Sequence, residues 1–298
     1  MSKHAYLIMA HHRIDLLQRL INALDHENND IYIHLDIKCE DQCDIQAQYS
    51  KVIMIPRMDV RWAGYSQIQC EFNLIKAALS SNQQYQYYHL LTGASYPIKD
   101  LNYIFEYFEK NSGKEFIGFV PNPSETLNRV RYKYVFNEVG KPISPTDYRK
   151  VKIRNTMLRI QEKIGVDFFK KYKLEYQKGL SYWSITEECA RYIIENEELV
   201  RRMLKHSLYG DEVFVQTLVY NSRFLPKVYT MENEYNGALF CAGWKECVSK
   251  DRKGQPEPNL IMDDYNYFRN PEYLFALKFE GVDGLKLLDK IDTEILHK

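Results

Sequence analysis

The sequence has no surplus of charge of either sign: 40 Lys and Arg stand against 40 Asp and Glu. The basic excess of a nucleic-acid-binding protein is therefore missing, and electrostatic recognition has to come from local patches. There is no GxGxxG and no GxxxxGK[ST], which disfavours an ordinary dinucleotide site or P-loop phosphate cradle. There is no Asp-x-Asp triplet, no internal repeat and no low-complexity tract. Paired CxxC knuckles are absent too. Cys39, Cys43, Cys70, Cys189, Cys241 and Cys247 are scattered, a spacing that suggests reduced thiols rather than a disulfide framework or structural zinc. The opening MSKHAYLIMAHHR has a short apolar run broken by His11, His12 and Arg13, which reads as neither a secretory core nor a membrane span, so a cytoplasmic chain is the expectation.

What is present is enough for a large core: 298 residues, 45% hydrophobic, the size of one large domain. The 24 Tyr suit stacking on sugars and bases, although half-buried structural positions are their ordinary use. HAYLIMA at 4–10, IYIHLDI at 31–37, KVIMIP at 51–56 and YQYYHLLTG at 85–93 read as strands,. Helical spacing appears at 13–25, around 66–79 and over 100–110, and KEFIGFV at 114–120 reads as a further strand,. This βαβ rhythm predicts an α/β fold, a mostly parallel Rossmann-type sheet sandwiched by helices with ligands at the carboxyl ends of its strands.

From Arg129 to Lys178 the chain carries 14 Lys or Arg against 5 Asp or Glu, fit for a phosphate-bearing acceptor or an anionic membrane surface, or simply a solvated face. LSYWSIT then reads as a strand and Glu187–Leu204 as one helix with acids early and bases late. In LYGDEVFVQTLVYNS, a Gly-Asp-Glu turn puts two carboxylates at a helix start, with Val213, Leu218 and Val219 toward a core.

Several residues suit group-transfer chemistry. Glu212 is the leading candidate for a base that takes a proton from an attacking hydroxyl. A hydrolase would need a second carboxyl group across the bond, and the adjacent Asp211 does not face that way. Alone, the Asp-Glu pair reads as a helix cap. His34 and Asp36 alternate onto one face at a strand end, where a metal or a nucleotide would sit, with Asp36 better suited to accept from a uridine or ribose. Asp263-Asp264 is a second acidic pair. Without a metal, a departing diphosphate needs cations such as Lys245, Lys250, Arg252, Lys253 and above all Lys278, which lies in an apolar run. His11 and His12 follow the first strand, and Trp62, Trp183 and Trp244 offer stacking faces whose default is core packing.

Taken in order, HAYLIMAHHRIDLLQRLINAL, IYIHLDIK, VRWAGYSQIQ, YYHLLTGASYPIK, KEFIGF, GLSYWSITEECARYI, YGDEVFVQTLVYNS and YLFALKF resemble the Core-2/I-branching enzyme family, which also includes peptide O-xylosyltransferases. The resemblance spans roughly residues 4–280. It implies a GT-A-type fold in one large domain, with residues 1–120 binding the nucleotide sugar and 121–298 the acceptor. It also implies an inverting mechanism, a UDP-sugar donor, often UDP-GlcNAc, and no obligatory divalent metal. Matched by position, the family's base falls on Glu212, its nucleotide-contacting acid on Asp36, its diphosphate lysine on Lys278, and its late aromatic on Trp244. Its basic acceptor segment is similar to Arg129, Arg131 and Lys133. A second diphosphate cation lands near Gln255, so either Arg252 or Lys253 substitutes or that contact is missing. The expected donor set is thus His11, Asp36, Trp62, Arg252, Lys253 and Lys278. The expected acceptor set is Arg129, Arg131, Lys133, Trp183, Asp211 and Trp244. The acceptor is expected to be a glycan or lipid-linked oligosaccharide, with peripheral contact to an anionic membrane. A bacterial cytoplasmic enzyme of capsule or exopolysaccharide synthesis fits the missing anchor and disulfides.

Overall fold

A computed structural model describes residues 2–41, 44–242 and 259–298. Its first strand, β1 (His4–Ala10), is apolar along its length because both faces are covered: Tyr6 and Ile8 enter one core cluster while Ala5 and Leu7 enter the other,. Helix α1 (Ile14–Leu24) returns along the first face on Leu17, Leu20, Ile21 and Leu24. Strand β2 (Asn29–Leu35) pairs parallel with β1, and β3 (Lys51–Met54) parallel with β2. Helix α2 (Tyr65–Leu79) crosses to the second face on Ile68, Phe72 and Ile75. The chain then jumps back over β1 to lay β4 (Tyr87–Thr92) parallel on its other side.

The short β5 (Ser95–Pro97) leads to α3 (Leu101–Lys110), whose first turn is capped by Asp100 accepting from the Tyr103 amide at 3.0 Å,. Strand β6 (Phe116–Ile117) is only part of the 114–120 run: Gly118 lies so close to the Glu234 carbonyl that the ladder stops there. The basic stretch holds α4 (Asn128–Arg131) and α5 (Pro145–Lys163), the latter started by a reciprocal Ser144–Asp147 capping box,. Strand β7 (Trp183–Thr186) enters the sheet antiparallel between β4 and β6, giving the order β3-β2-β1-β4-β7-β6. The two expected halves therefore share one sheet.

The single helix expected over 187–204 is two, α6 (Glu187–Glu195) and α7 (Glu197–Leu204), because the Asn196 side chain donates to the Tyr192 carbonyl at 2.8 Å and ends the first,. Glu212 closes a 3-10 turn, Gly210–Glu212, ahead of α8 (Phe214–Tyr220). Helix α9 (Glu234–Ala238) feeds β8 (Phe240–Ala242), which with β9 (Phe275–Leu277) and β5 forms a second, three-stranded sheet before α10 (Val282–Glu294). The fold is a mixed α/β domain with a mostly parallel central sheet flanked by helices, as expected from the sequence. Cys39, Cys70 and Cys189 are buried free thiols and Cys241 is buried on β8, whereas Cys43 and Cys247 lie outside the described residues. Among the described residues, no helix is long and apolar enough to cross a membrane.

Leading into β7, the chain passes hard against its neighbours. The Lys178 carbonyl accepts from Val120 at 2.9 Å and the Gly179 amide donates to the Glu212 carbonyl at 3.0 Å, while a Cβ on Gly179 would meet the Gly118 carbonyl oxygen at 1.7 Å. Gly179→Ala is expected to cost roughly 1–3 kcal/mol of stability and to misplace Lys178 and Glu212 together. A melting temperature and UDP-release rate equal to wild type would show that the two backbones can part freely.

Candidate active site

In the sheet order, connections after β1 run toward β2 and β3, whereas β4 lies on the other side, so the topology switches between β1 and β4. The crevice at such a point, beyond the carboxyl ends of the strands, is where α/β sheets bind ligands. A cleft of about 600 Å³ opens there. Ala10–Arg13 follow β1 into it, Thr92–Ala94 follow β4, and Lys178–Tyr182 approach from before β7. Asp211 and Glu212 form one wall, with Trp62, Gln67 and Lys141 nearby; Glu234, Tyr235, Lys278 and Glu280 complete the lining.

Glu212 is held from one side. Arg129 reaches its Oε2 at 2.5 Å and Lys178 reaches the same oxygen at 3.1 Å. Among the described residues, Oε1 has no hydrogen-bond partner, which leaves one carboxylate oxygen to accept from a bound hydroxyl. Arg129 is itself steadied by the Tyr209 ring, 4.5 Å from its guanidinium carbon. That ring also meets the edge of Trp62 at 5.2 Å. Tyr209 (φ 54°) and Ala63 (φ 64°) both occupy the left-handed region, and the Tyr209 amide donates to the Ala63 carbonyl at 3.0 Å. Each such residue costs of order 1–3 kcal/mol, and strain of this kind gathers where a site must be shaped.

Asp211 points the other way. It is 7% exposed, accepts from Ser181 Oγ at 2.8 Å, and its Oδ1 is buried without a hydrogen bond. Burial, aided by the neighbouring Glu212 carboxylate, raises its pKa to about 6,. Beneath it on α2, Glu71 is wholly buried, and desolvation first and Asp211 second push its carboxyl well above the usual range. Asp211 thus belongs to the cleft wall and offers one unsatisfied acceptor.

The other expected residues divide. Trp62, 51% exposed, lines the cleft with the Lys141 ammonium 5.6 Å from its ring centroid. His11 lines the cleft beside His12, ring centroids 4.1 Å apart, and partial burial followed by repulsion from His12 lowers its pKa. Lys278 enters directly after β9 and has no ion-pair partner among the described residues. Asp36 lies behind the cleft: its carboxylate takes the Lys38 amide at 2.8 Å, the Lys38 ammonium at 2.7 Å and the Val60 amide at 3.0 Å, ordering the loop after β2.

Arg131 and Lys133 depart from expectation. Arg131 pairs with Asp167 at 3.2 Å, and Lys133 sits 4.6 Å over the Phe168 ring and lines a separate groove; neither lines the cleft at Glu212. Trp183 is also misassigned by its residue type: fully buried in the core on β7, it has no face left for a sugar. His34 Nε2 accepts from the Met58 amide at 3.0 Å, and Asp264 is a buried cap accepting from the Ile261 amide at 2.9 Å. Among the described residues, no three His, Cys, Asp or Glu side chains are placed to share a metal ion. Trp244, Lys245, Lys250, Arg252, Lys253 and Gln255 lie outside the described residues.

Sequence reasoning missed Lys178, Ser181 and Gln67. Lys178 is one cation among 14 in its stretch, and nothing in local spacing marks it. Its role appears only once Gly179 is hydrogen-bonded to Glu212.

A switch-point cleft lined by one steered carboxylate and by a lysine with no ion-pair partner among the described residues is the site of an α/β group-transfer enzyme. The chain belongs to the Core-2/I-branching enzyme family, whose description matches residues 4–257, and it is a glycosyltransferase. The human β-1,3-galactosyl-O-glycosyl-glycoprotein β-1,6-N-acetylglucosaminyltransferase is 22% identical, over 99% of this chain and 70% of its own length. Mouse N-acetyllactosaminide β-1,6-N-acetylglucosaminyl-transferase is 23% identical over 93% of this chain and 68% of its own. Rat xylosyltransferase 2 is 26% identical over 98% of this chain but only 33% of that protein. Among solved structures, apo mouse xyloside xylosyltransferase 1 aligns over 93% of this chain and 97% of its own, at 11% identity and a TM-score of 0.37.

Asp211 sets a pH signature. Its folded-state pKa lies above the unfolded value, so its ionisation disfavours the folded state as pH rises from the ordinary carboxylate range through about 6. Asp211→Asn, which cannot ionise, is expected to melt higher than wild type at pH 8, with a smaller gain at pH 5. Thermal melts in matched buffers read this, and a gain equal at both pH values would refute it.

Proposed function

We propose that the chain transfers N-acetylglucosamine from UDP-N-acetylglucosamine to a hydroxyl of a glycan or lipid-linked oligosaccharide, with inversion at the anomeric carbon. The single observation carrying the reading is the one-sided hold on Glu212: two cations fix Oε2 and Oε1 is left to accept. The acceptor hydroxyl gives its proton to Glu212 as its oxygen bonds to C1. The bond from C1 to the diphosphate breaks on the opposite face, and UDP leaves with the electron pair. Direct displacement by one oxygen inverts the centre. A positioned base of this kind supplies about 10²–10⁴ in rate.

The departing diphosphate meets Lys278, whose ammonium stands in for the metal that acid-rich transferases use. Trp62 offers the sugar a stacking face, and His11, with its depressed pKa, a neutral imidazole,. The GT-A architecture and a role in bacterial capsule or exopolysaccharide assembly belong to the same proposal. The free, buried cysteines support a reducing compartment,.

Glu212→Gln is expected to lower UDP release by at least about 10²-fold while UDP still raises the melting temperature, because the base is lost and the nucleotide pocket is not. Wild-type turnover in that variant overturns the assignment. Activity in excess EDTA is expected to match that in buffer; loss that Mn²⁺ restores would replace the cationic site with a metal. A donor panel containing UDP-xylose checks the sugar, with preference for xylose rejecting N-acetylglucosamine.

A further inference from the structure

Helix α5 is attached to the protein along one side only. Gln161 is buried there, its side chain donating to the Lys133 carbonyl and accepting from the Lys133 amide, both at 2.9 Å. Arg154 on the same side is half-buried within electrostatic reach of Tyr134 and Tyr209. On another side, Ile153, Met157, Ile160 and, at the helix end, Ile164 follow at intervals of four, three and four, which stacks them into one stripe,. Their exposures are 51, 41, 48 and 72%, and Ile143, just ahead of the helix, is 87% exposed. Isolated exposed apolar residues are ordinary in a soluble surface; a stripe in helical register is not.

The stripe has a charged border. Arg149, Lys152, Arg159 and Lys163 are all exposed beside it. In total, α5 holds six bases, Arg149, Lys150, Lys152, Arg154, Arg159 and Lys163, against the acids Asp147 and Glu162. In a chain of balanced charge this is segregation. An apolar ridge edged by cations matches a surface with negative phosphates above an apolar interior. It does not match a second copy of itself, since a two-fold contact would set the same cations against each other.

We infer that this face of α5 docks on an anionic lipid bilayer, with the four apolar side chains entering the boundary between headgroups and acyl chains and the flanking cations on lipid phosphates. Because the inward side of α5 approaches Tyr209, which carries Arg129, docking would hold the cleft near the membrane surface. The inference stands apart from the identity of donor and acceptor, since its test reads lipid binding and not transfer.

The full chain is sedimented with vesicles of phosphatidylcholine containing phosphatidylglycerol, and with phosphatidylcholine alone. The expected result is binding to the anionic vesicles, at least about tenfold weaker on neutral ones, because each cation near the surface adds attraction. The triple substitution Ile153→Ser, Met157→Ser, Ile160→Ser should weaken anionic binding by at least about tenfold, with melting temperature and UDP release unchanged. Lys152→Glu with Arg159→Glu, which leaves the stripe intact, should weaken it similarly. Failure to sediment with anionic vesicles, equal binding to neutral ones, or triple-variant binding equal to wild type overturns the inference. So does a wild-type dimer in analytical ultracentrifugation that the triple variant turns into monomer, which would make the face an interface between copies.

Discussion

The hydrogen bond from the Gly179 amide to the Glu212 carbonyl ties the approach to β7 to the turn ahead of α8, in line with Ser181 donating to Asp211 and Gln216 donating to the Leu180 carbonyl. On one side it anchors the approach to β7 and therefore the sheet; on the other it anchors the 3-10 turn ahead of α8. Lys178, one residue upstream, is thereby delivered to the Glu212 carboxylate, while Arg129 arrives from α4. The base is thus aimed by backbone geometry first and by charge second. This arrangement requires a glycine, because the same strand lies against the Gly118 carbonyl where any side chain would collide.

Around that bond the charges are graded by depth. Glu71 is wholly buried, Asp211 is nearly so, and Glu212 reaches the cleft. Burial drives the two deeper groups toward their neutral forms, and each carboxylate raises the cost of ionising its neighbour,. Three acids can then stack without three negative charges. Arg129 and Lys178 hold the outermost of the three, and Lys278, directly after β9 of the second sheet, lines the same cleft.

The parallel core was legible in the sequence because both faces of β1, β2 and β4 are covered, and such strands are written as unbroken apolar runs. The βαβ rhythm pointed to the carboxyl ends of the strands, where the cleft lies, whereas Glu212 taken alone read as a helix cap and Lys278 as a lysine in an apolar run, and only the ordered resemblance raised them to candidates. What could not be read depends on long-range placement. Arg131 and Lys133 sit in the same basic run as Arg129, yet a short helix turns them toward Asp167 and Phe168 instead of Glu212. Trp183 obeys the alternation of β7, and only the sheet's neighbours reveal that its side is the closed one. The break at Asn196 hinges on one side-chain hydrogen bond that helical periodicity does not register.

Strands β6 and β7 pair through Ile117 and Trp183, so the chain between them departs from and returns to adjacent points of one ladder. The stretch from Leu127 to Lys173 is in effect a graft on a closed stem. It carries Arg129 and all of α5, yet it contributes no strand to the central sheet. Beyond Arg129, which must stay to hold Glu212, this outer segment can be lengthened or recharged without re-registering β1 or β4. The outer segment can then change in length and charge while the sheet that frames the cleft stays still.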